Sequence, residues 1–100
     1  MQITITIGQN VKNVPMSQKL WFNYKQKILG LFSELFVNAE YAGQWDGIDE
    51  VSNIFLGETL PEYSLIDLES ILGALAAEYN QDAIGLLVNS RKTSLVFKAI

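Results

Sequence analysis

The chain contains no histidine and no cysteine. The first absence removes the side chain that most often moves protons near neutral pH. The second removes disulfides, thiolate metal sites and cysteine nucleophiles. No apolar run approaches the roughly 20 residues that a bilayer-spanning helix needs. The opening Met1-Gln2-Ile3-Thr4-Ile5-Thr6-Ile7 lacks a positive n-region, so it reads as a strand and not as a signal peptide. Gly8-Gln9-Asn10 follows a strand but lacks the G-x-x-x-x-G-K of a phosphate loop. No R-G-F-G-F-like run occurs, and the pI is near 4.6, so nucleic acid is not an expected partner. A cytoplasmic protein without a membrane partner, a cofactor or a metal is the expectation from these absences.

One further absence is positional. No Lys or Arg lies between Glu34 and Asp82, a stretch that holds all eleven acids. The bases stand outside it, at Lys12, Lys19, Lys25 and Lys27 before and at Arg91, Lys92 and Lys98 after, for a net charge of −4. Such sorting sets up a field across one small domain, and fields of this kind steer partners.

What the chain does have is apolar surface to bury. Of its 100 residues, 49% are hydrophobic, enough to offset chain entropy in a single domain but too short a chain for two cores. Ile3, Ile5 and Ile7 alternate with polar neighbours and predict a half-buried strand. Ser17 is placed to cap a helix. Leu20, Trp21, Tyr24, Ile28, Leu31, Phe32 and Leu35 share one face at helical spacing. Phe22, Leu29 and Phe36 recur every seven residues about 120° away and form a second stripe.

Val37 to Trp45 is the cleanest period-two run. Asp46-Gly47 then favours a hairpin turn into a strand from Val51 to Leu56, with Gly47-Ile48-Asp49-Glu50 as the connection. Ser64 and Asp67 occupy capping-box positions, with Tyr63 and Leu68 placed for a hydrophobic staple. Leu65, Leu68, Ile71, Leu72, Leu75 and Tyr79 continue a helical stripe to a cap at Asn80. Ala83–Val88 and Thr93–Phe97 read as two strands joined by Asn89-Ser90-Arg91-Lys92. The order βαββαββ predicts an α+β, ferredoxin-like sandwich: βαββαβ plus an extra C-terminal strand, with both helices on one face of an antiparallel sheet.

Tyr41-Ala42-Gly43-Gln44-Trp45-Asp46, followed by Gln81-Asp82-Ala83-Ile84 and by Val96-Phe97, resembles a family of small uncharacterised bacterial and phage proteins with a G-Q-W or G-S-W strand. The resemblance spans most of the chain and implies a ferredoxin-like build and a phage or mobile-element origin. It implies no activity.

The residue types give no nucleophile–base pair, and Ser17 and Ser64 read as caps, so no catalytic, cofactor-binding or metal residue is assigned. Asp46, Asp49 and Glu50 crowd the hairpin tip without the spacing of a calcium loop. Tyr41 and Trp45 share a face and could line a pocket. Glu40, adjacent in sequence, points the other way.

The expected function is a non-enzymatic protein-interaction module. Its acidic surface would be Asp46, Asp49, Glu50 and Glu58, with a basic, nucleic-acid-binding host or defence protein as the kind of target it would inhibit. The Phe22, Leu29, Phe36 stripe would be a second contact or a homodimer surface. Two alternatives stay open: a small-ligand-binding or enzymatic dimer with a convergent polar group such as Tyr24, Tyr41 or Glu40, and a structural or assembly subunit.

Overall fold

A computed structural model describes residues 1–88 and 94–99, with only the backbone described at Trp45 and Ser94. The turn expected at residues 89–92, with its bases Arg91 and Lys92, lies outside the described residues.

The elements in chain order are β1 (Gln2–Gly8), β2 (Asn10–Val11), β3 (Val14–Pro15), α1 (Gln18–Leu29), β4 (Phe32–Trp45), β5 (Ile48–Thr59), α2 (Leu65–Glu78), β6 (Ala83–Val88) and β7 (Ser94–Phe97). Five strands form one antiparallel sheet in the order β4-β5-β1-β6-β7. With β7 removed, this is the strand order of a ferredoxin-like sandwich, and β7 is the extra edge strand. The fold class expected from the sequence is therefore the one observed. No helix among the described residues is long and apolar enough to cross a membrane.

Alternation decides which sheet face meets the helices. Ile3, Ile5 and Ile7 are buried while Thr4, Thr6 and Gly8 between them are not. In β5, Asn53, Phe55, Gly57 and Thr59 are buried and Ser52, Ile54, Leu56 and Glu58 are only partly so. Trp21, Tyr24 and Ile28 of α1 and Leu68, Leu72 and Ala76 of α2 complete the core, all at 1% exposure or less. Such side chains contribute about 1.5–3 kcal/mol each by burial. Tyr24 stacks on Tyr79 at 4.5 Å between ring centroids.

Local signals set the helix ends. Ser17 accepts the Leu20 N–H at 3.2 Å. Ser64 and Asp67 exchange both capping-box hydrogen bonds, and the Ser64 backbone N–H holds the Asp67 carboxyl below its usual value. At the hairpin tip Asp46 and Gly47 both have positive φ, the geometry of a two-residue turn that matches strand twist. β5 thus starts at Ile48, earlier than the sequence implied. A small hairpin, β2–β3, is also present where only a loop was expected.

The main departure is the end of α1. The helical spacing runs on to Leu35, but the helix stops at Leu29 with Gly30 as its cap. Glycine inside a helix costs about 1 kcal/mol. The next residues gain a full ladder on β5 from Phe32↔Thr59 onward. The expected Phe22–Leu29–Phe36 helical stripe is therefore not one surface. Phe22 is exposed on α1, Leu29 packs against the core, and Phe36 is exposed in β4, where a register shift leaves it without a partner on β5.

Candidate functional site

The sheet face away from the helices is where functional side chains gather. Cross-strand register sets them in rows. Tyr41 of β4, Ser52 of β5 and Gly8 of β1 form one row, and Gly43 and Glu50 form the next. Tyr41 is 45% exposed, and its ring leans over Gly43, close enough that a Cβ there would touch it at 3.7 Å. Glu50 is opposite Gly43, a diagonal neighbour of Tyr41, a spacing of about 7 Å. The Glu50 carboxylate lies over Gly8 and accepts the Asn10 backbone N–H at 2.9 Å. An aromatic ring and a partly buried carboxylate thus flank a shallow floor of Ser52, Gly8 and Gly43. A π face beside a carboxylate is an arrangement suited to a cation.

The face continues as apolar surface. Ala39 and Ile54 fill the next row, then Val37 and Leu56, while Leu95 and Phe97 lie exposed on β7. Thr4 and Thr6 of β1 separate the two apolar areas.

The four acids expected to form one surface are not gathered in one place. Asp46 is in the turn, and Asp49 accepts from the Gln44 side chain at 3.1 Å. Glu50 belongs to the patch just described. Glu58 is eight residues further along β5, roughly 26 Å away, where it pairs with the N-terminal ammonium at 3.0 Å. The basic ends also fold back onto the acidic middle: Lys25 pairs with Glu40 at 2.9 Å, Lys98 with Asp82 at 3.6 Å, and Lys27 with Glu78. Charge sorted along the chain is partly paired in space. Among the described residues no three acids converge as a metal site.

Of the pocket residues named from sequence, Tyr41 is in the patch. Trp45 pairs with Ile48 through its backbone, and its side chain lies outside the described residues. Glu40 faces the helices, where the Lys25 ammonium holds its carboxyl below the usual range. Tyr24 is buried in the core, and burial raises its hydroxyl above the usual tyrosine value. Gly8, Asn10 and Ser52 were not singled out from sequence. No motif marks them, because only the pairing of β5 with both β1 and β4 brings them to Glu50.

A second concavity, a cleft of about 440 Å³, opens between the β2–β3 hairpin, α1 and the end of α2, with Met16, Leu20, Lys27 and Tyr79 among its walls. Lys27 spans it, its ammonium 5.5 Å from the Tyr79 ring centroid and held above the usual lysine range by the Glu78 carboxylate. Its cation-binding geometry is already filled by the protein's own ammonium. The open sheet face is therefore the better candidate.

No protein-family model and no curated protein matches the chain. Two solved structures do. One is a phage SAM lyase in complex with S-methyl-5'-thioadenosine, 16% identical with a TM-score of 0.50, the match covering 96% of this chain and 88% of that one. The other is a phage SAM lyase in its apo state, 14% identical with a TM-score of 0.57, covering 96% and 87%. At these identities the likeness is one of fold. Both neighbours are enzymes, and they overturn the expectation of a non-enzymatic interaction module drawn from the lack of His and Cys. The chain is similar in fold, over nearly its whole length, to phage SAM lyases.

Proposed function

We propose that the protein is an enzyme that cleaves S-adenosylmethionine or a related sulfonium nucleoside as a lyase, on the open sheet face. The observation that carries this reading is the fold shared with phage SAM lyases across 96% of the chain. The Tyr41–Glu50 patch supports it by supplying groups for a cationic, aromatic substrate.

The chemistry explains why the residue types misled. A sulfonium carries its own leaving group. When the bond from sulfur to the amino-acid arm breaks, the electron pair returns to sulfur and a neutral thioether departs. No general acid must protonate it, so neither His nor a nucleophilic Cys is required. The arm makes good its electron deficit either by closing its own carboxylate oxygen onto the carbon or by losing a proton to the Glu50 carboxylate to form a double bond. Neither route adds water or uses a redox cofactor. In this reading the Tyr41 ring and the Glu50 carboxylate hold the sulfonium and its nucleoside, and the apolar rows at Ile54 and Leu56 exclude water.

A homodimer covering the apolar face accompanies the proposal, because a shallow sheet surface alone leaves a small ligand wet. A cytoplasmic site of action belongs to the same reading.

The test is incubation of purified protein with S-adenosylmethionine, with separation and mass analysis of products. Formation of S-methyl-5'-thioadenosine, with no oxygen from labelled water on the Cγ of the amino-acid product, supports the reading. Its loss by about a hundredfold or more in Glu50→Gln, with folding intact, assigns the site. A wild-type protein that leaves the substrate untouched refutes the proposal. Solution mass, measured alongside, tests the homodimer.

A further inference from the structure

We propose that Gly8, Asn10 and Gln81 are positioning residues, a seat that fixes the Glu50 carboxylate on the sheet face; this rests on the lyase reading of that face. A glutamate on an exposed hairpin arm ordinarily samples several rotamers, and ordering it costs entropy. Here three contacts remove that freedom. The Glu50 Oε2 accepts the Asn10 backbone N–H at 2.9 Å. Asn10 in turn donates its side-chain Nδ2 to the carbonyl of Asp49, the residue preceding Glu50, at 2.9 Å. The Asn10 carbonyl accepts from Gln81 Nε2 at 3.0 Å, and Gln81 is only 6% exposed, anchored at the end of α2 by its backbone N–H to Ala76. A chain of hydrogen bonds therefore runs from the helix layer to the carboxylate.

Two further observations separate a seat from ordinary loop packing. A Cβ at Gly8 would come within 2.5 Å of Glu50 Oε2 and 2.6 Å of its Cδ, so only glycine leaves room for the carboxylate on the strand. In addition, the Asn10 Oδ1 is buried with no hydrogen-bond partner. A buried oxygen of this kind is destabilising. With Oε2 engaged by Asn10, Oε1 is left to meet a cation.

The experiment compares Gly8→Ala and Asn10→Ala with wild type. The new Cβ at position 8 displaces the end of one side chain and not backbone, and Asn10→Ala removes the unpaired oxygen, so both variants fold. Expected are thermal midpoints within about 4 °C of wild type in both and, in Gly8→Ala, a kcat/KM for S-adenosylmethionine lower by on the order of a hundredfold; Asn10→Ala keeps the backbone N–H that engages Oε2 and loses only the Nδ2 bond to Asp49, so its kcat/KM falls far less. Gly8→Ala also moves the Asn10 amide proton upfield and speeds its exchange, as a lost hydrogen bond to a carboxylate requires. Unchanged kcat/KM in Gly8→Ala, or an unmoved Asn10 amide in that variant, overturns the seat. The amide signature needs no turnover. It decides the seat even if the wild type proves inert toward S-adenosylmethionine, an outcome that refutes the lyase reading alone.

Discussion

Gly57→Ala is the sharpest stability test the structure offers. Gly57 pairs with Leu35 between two register shifts in β4. A Cβ there would fall inside the van der Waals shell of the Glu34 carbonyl oxygen, 2.9 Å from Phe32 Cδ1 and 3.1 Å from the Glu34 carbonyl carbon. The obstacle is backbone, part of the bulged edge strand β4 that is laddered to β5, and relief requires a shift on the order of 1 Å. Overpacking of this kind costs about 1–3 kcal/mol, and more where backbone must move. The entropy gained by replacing glycine returns only about 0.4–1 kcal/mol. Because backbone must move, the upper end of that cost applies and the expected net loss is about 2 kcal/mol, a large part of the roughly 5–15 kcal/mol that holds a domain together. For 100 residues that lowers the melting midpoint by about 8–16 °C. Urea unfolding followed by circular dichroism measures it. Gly30→Ala is the control. Its Cβ would meet only ordinary contacts, at 3.5 Å and beyond, and its φ of −63° suits any residue. That variant should be slightly more stable than wild type. If Gly57→Ala unfolds within about 0.5 kcal/mol of wild type, the close approach at the bulge does not constrain the sheet.

Other outcomes are expected from named groups. Burial, then Tyr79 and Glu50, keeps the Tyr24 hydroxyl protonated above its ordinary value of 10.0. The unfolded chain ionises near pH 10 and the folded chain does not, so stability is full below that pH and falls as pH rises through it. Lys27, raised by Glu78, adds a loss of the same sign. Tyr24→Phe deletes a hydroxyl that is buried without a partner. It should gain about 1 kcal/mol at neutral pH and flatten part of the alkaline decline in thermal melts; a loss of stability at neutral pH would mean that the hydroxyl is satisfied. Ser64→Ala removes the α2 cap and should cost about 1 kcal/mol, read by chemical unfolding, with an unchanged midpoint counting against the capping box.

Much of the fold was legible because local signals agreed with the global arrangement. Alternation at Ile3, Ile5 and Ile7, the Asp46-Gly47 turn, and the Ser17 and Ser64 caps each name an element, and each is where the structure has it. The stretch after Gly30 was not legible. Leu31, Phe32 and Leu35 satisfy helical spacing, but Leu31 falls in the turn and only the ladder offered by β5 makes Phe32 and Leu35 part of a strand. The site was half legible. Tyr41 and Glu50 could be named by type, but they were assigned to different surfaces, because strand pairing over a gap of nine residues cannot be read from either residue alone.

The sequence by itself determined the element order, the single apolar core and the lack of His and Cys chemistry. Only the tertiary structure decided what the charges and glycines do. It folds the basic ends back onto the acidic middle, so the charge blocks become ion pairs at Glu40, Glu78 and Asp82. It brings Gly8 and Asn10, braced by Gln81 from the far end of the chain, to Glu50 in the hairpin. The reason is physical: periodicity and capping act between near neighbours, whereas a carboxylate's seat is set by contacts between residues 40 and 71 positions apart.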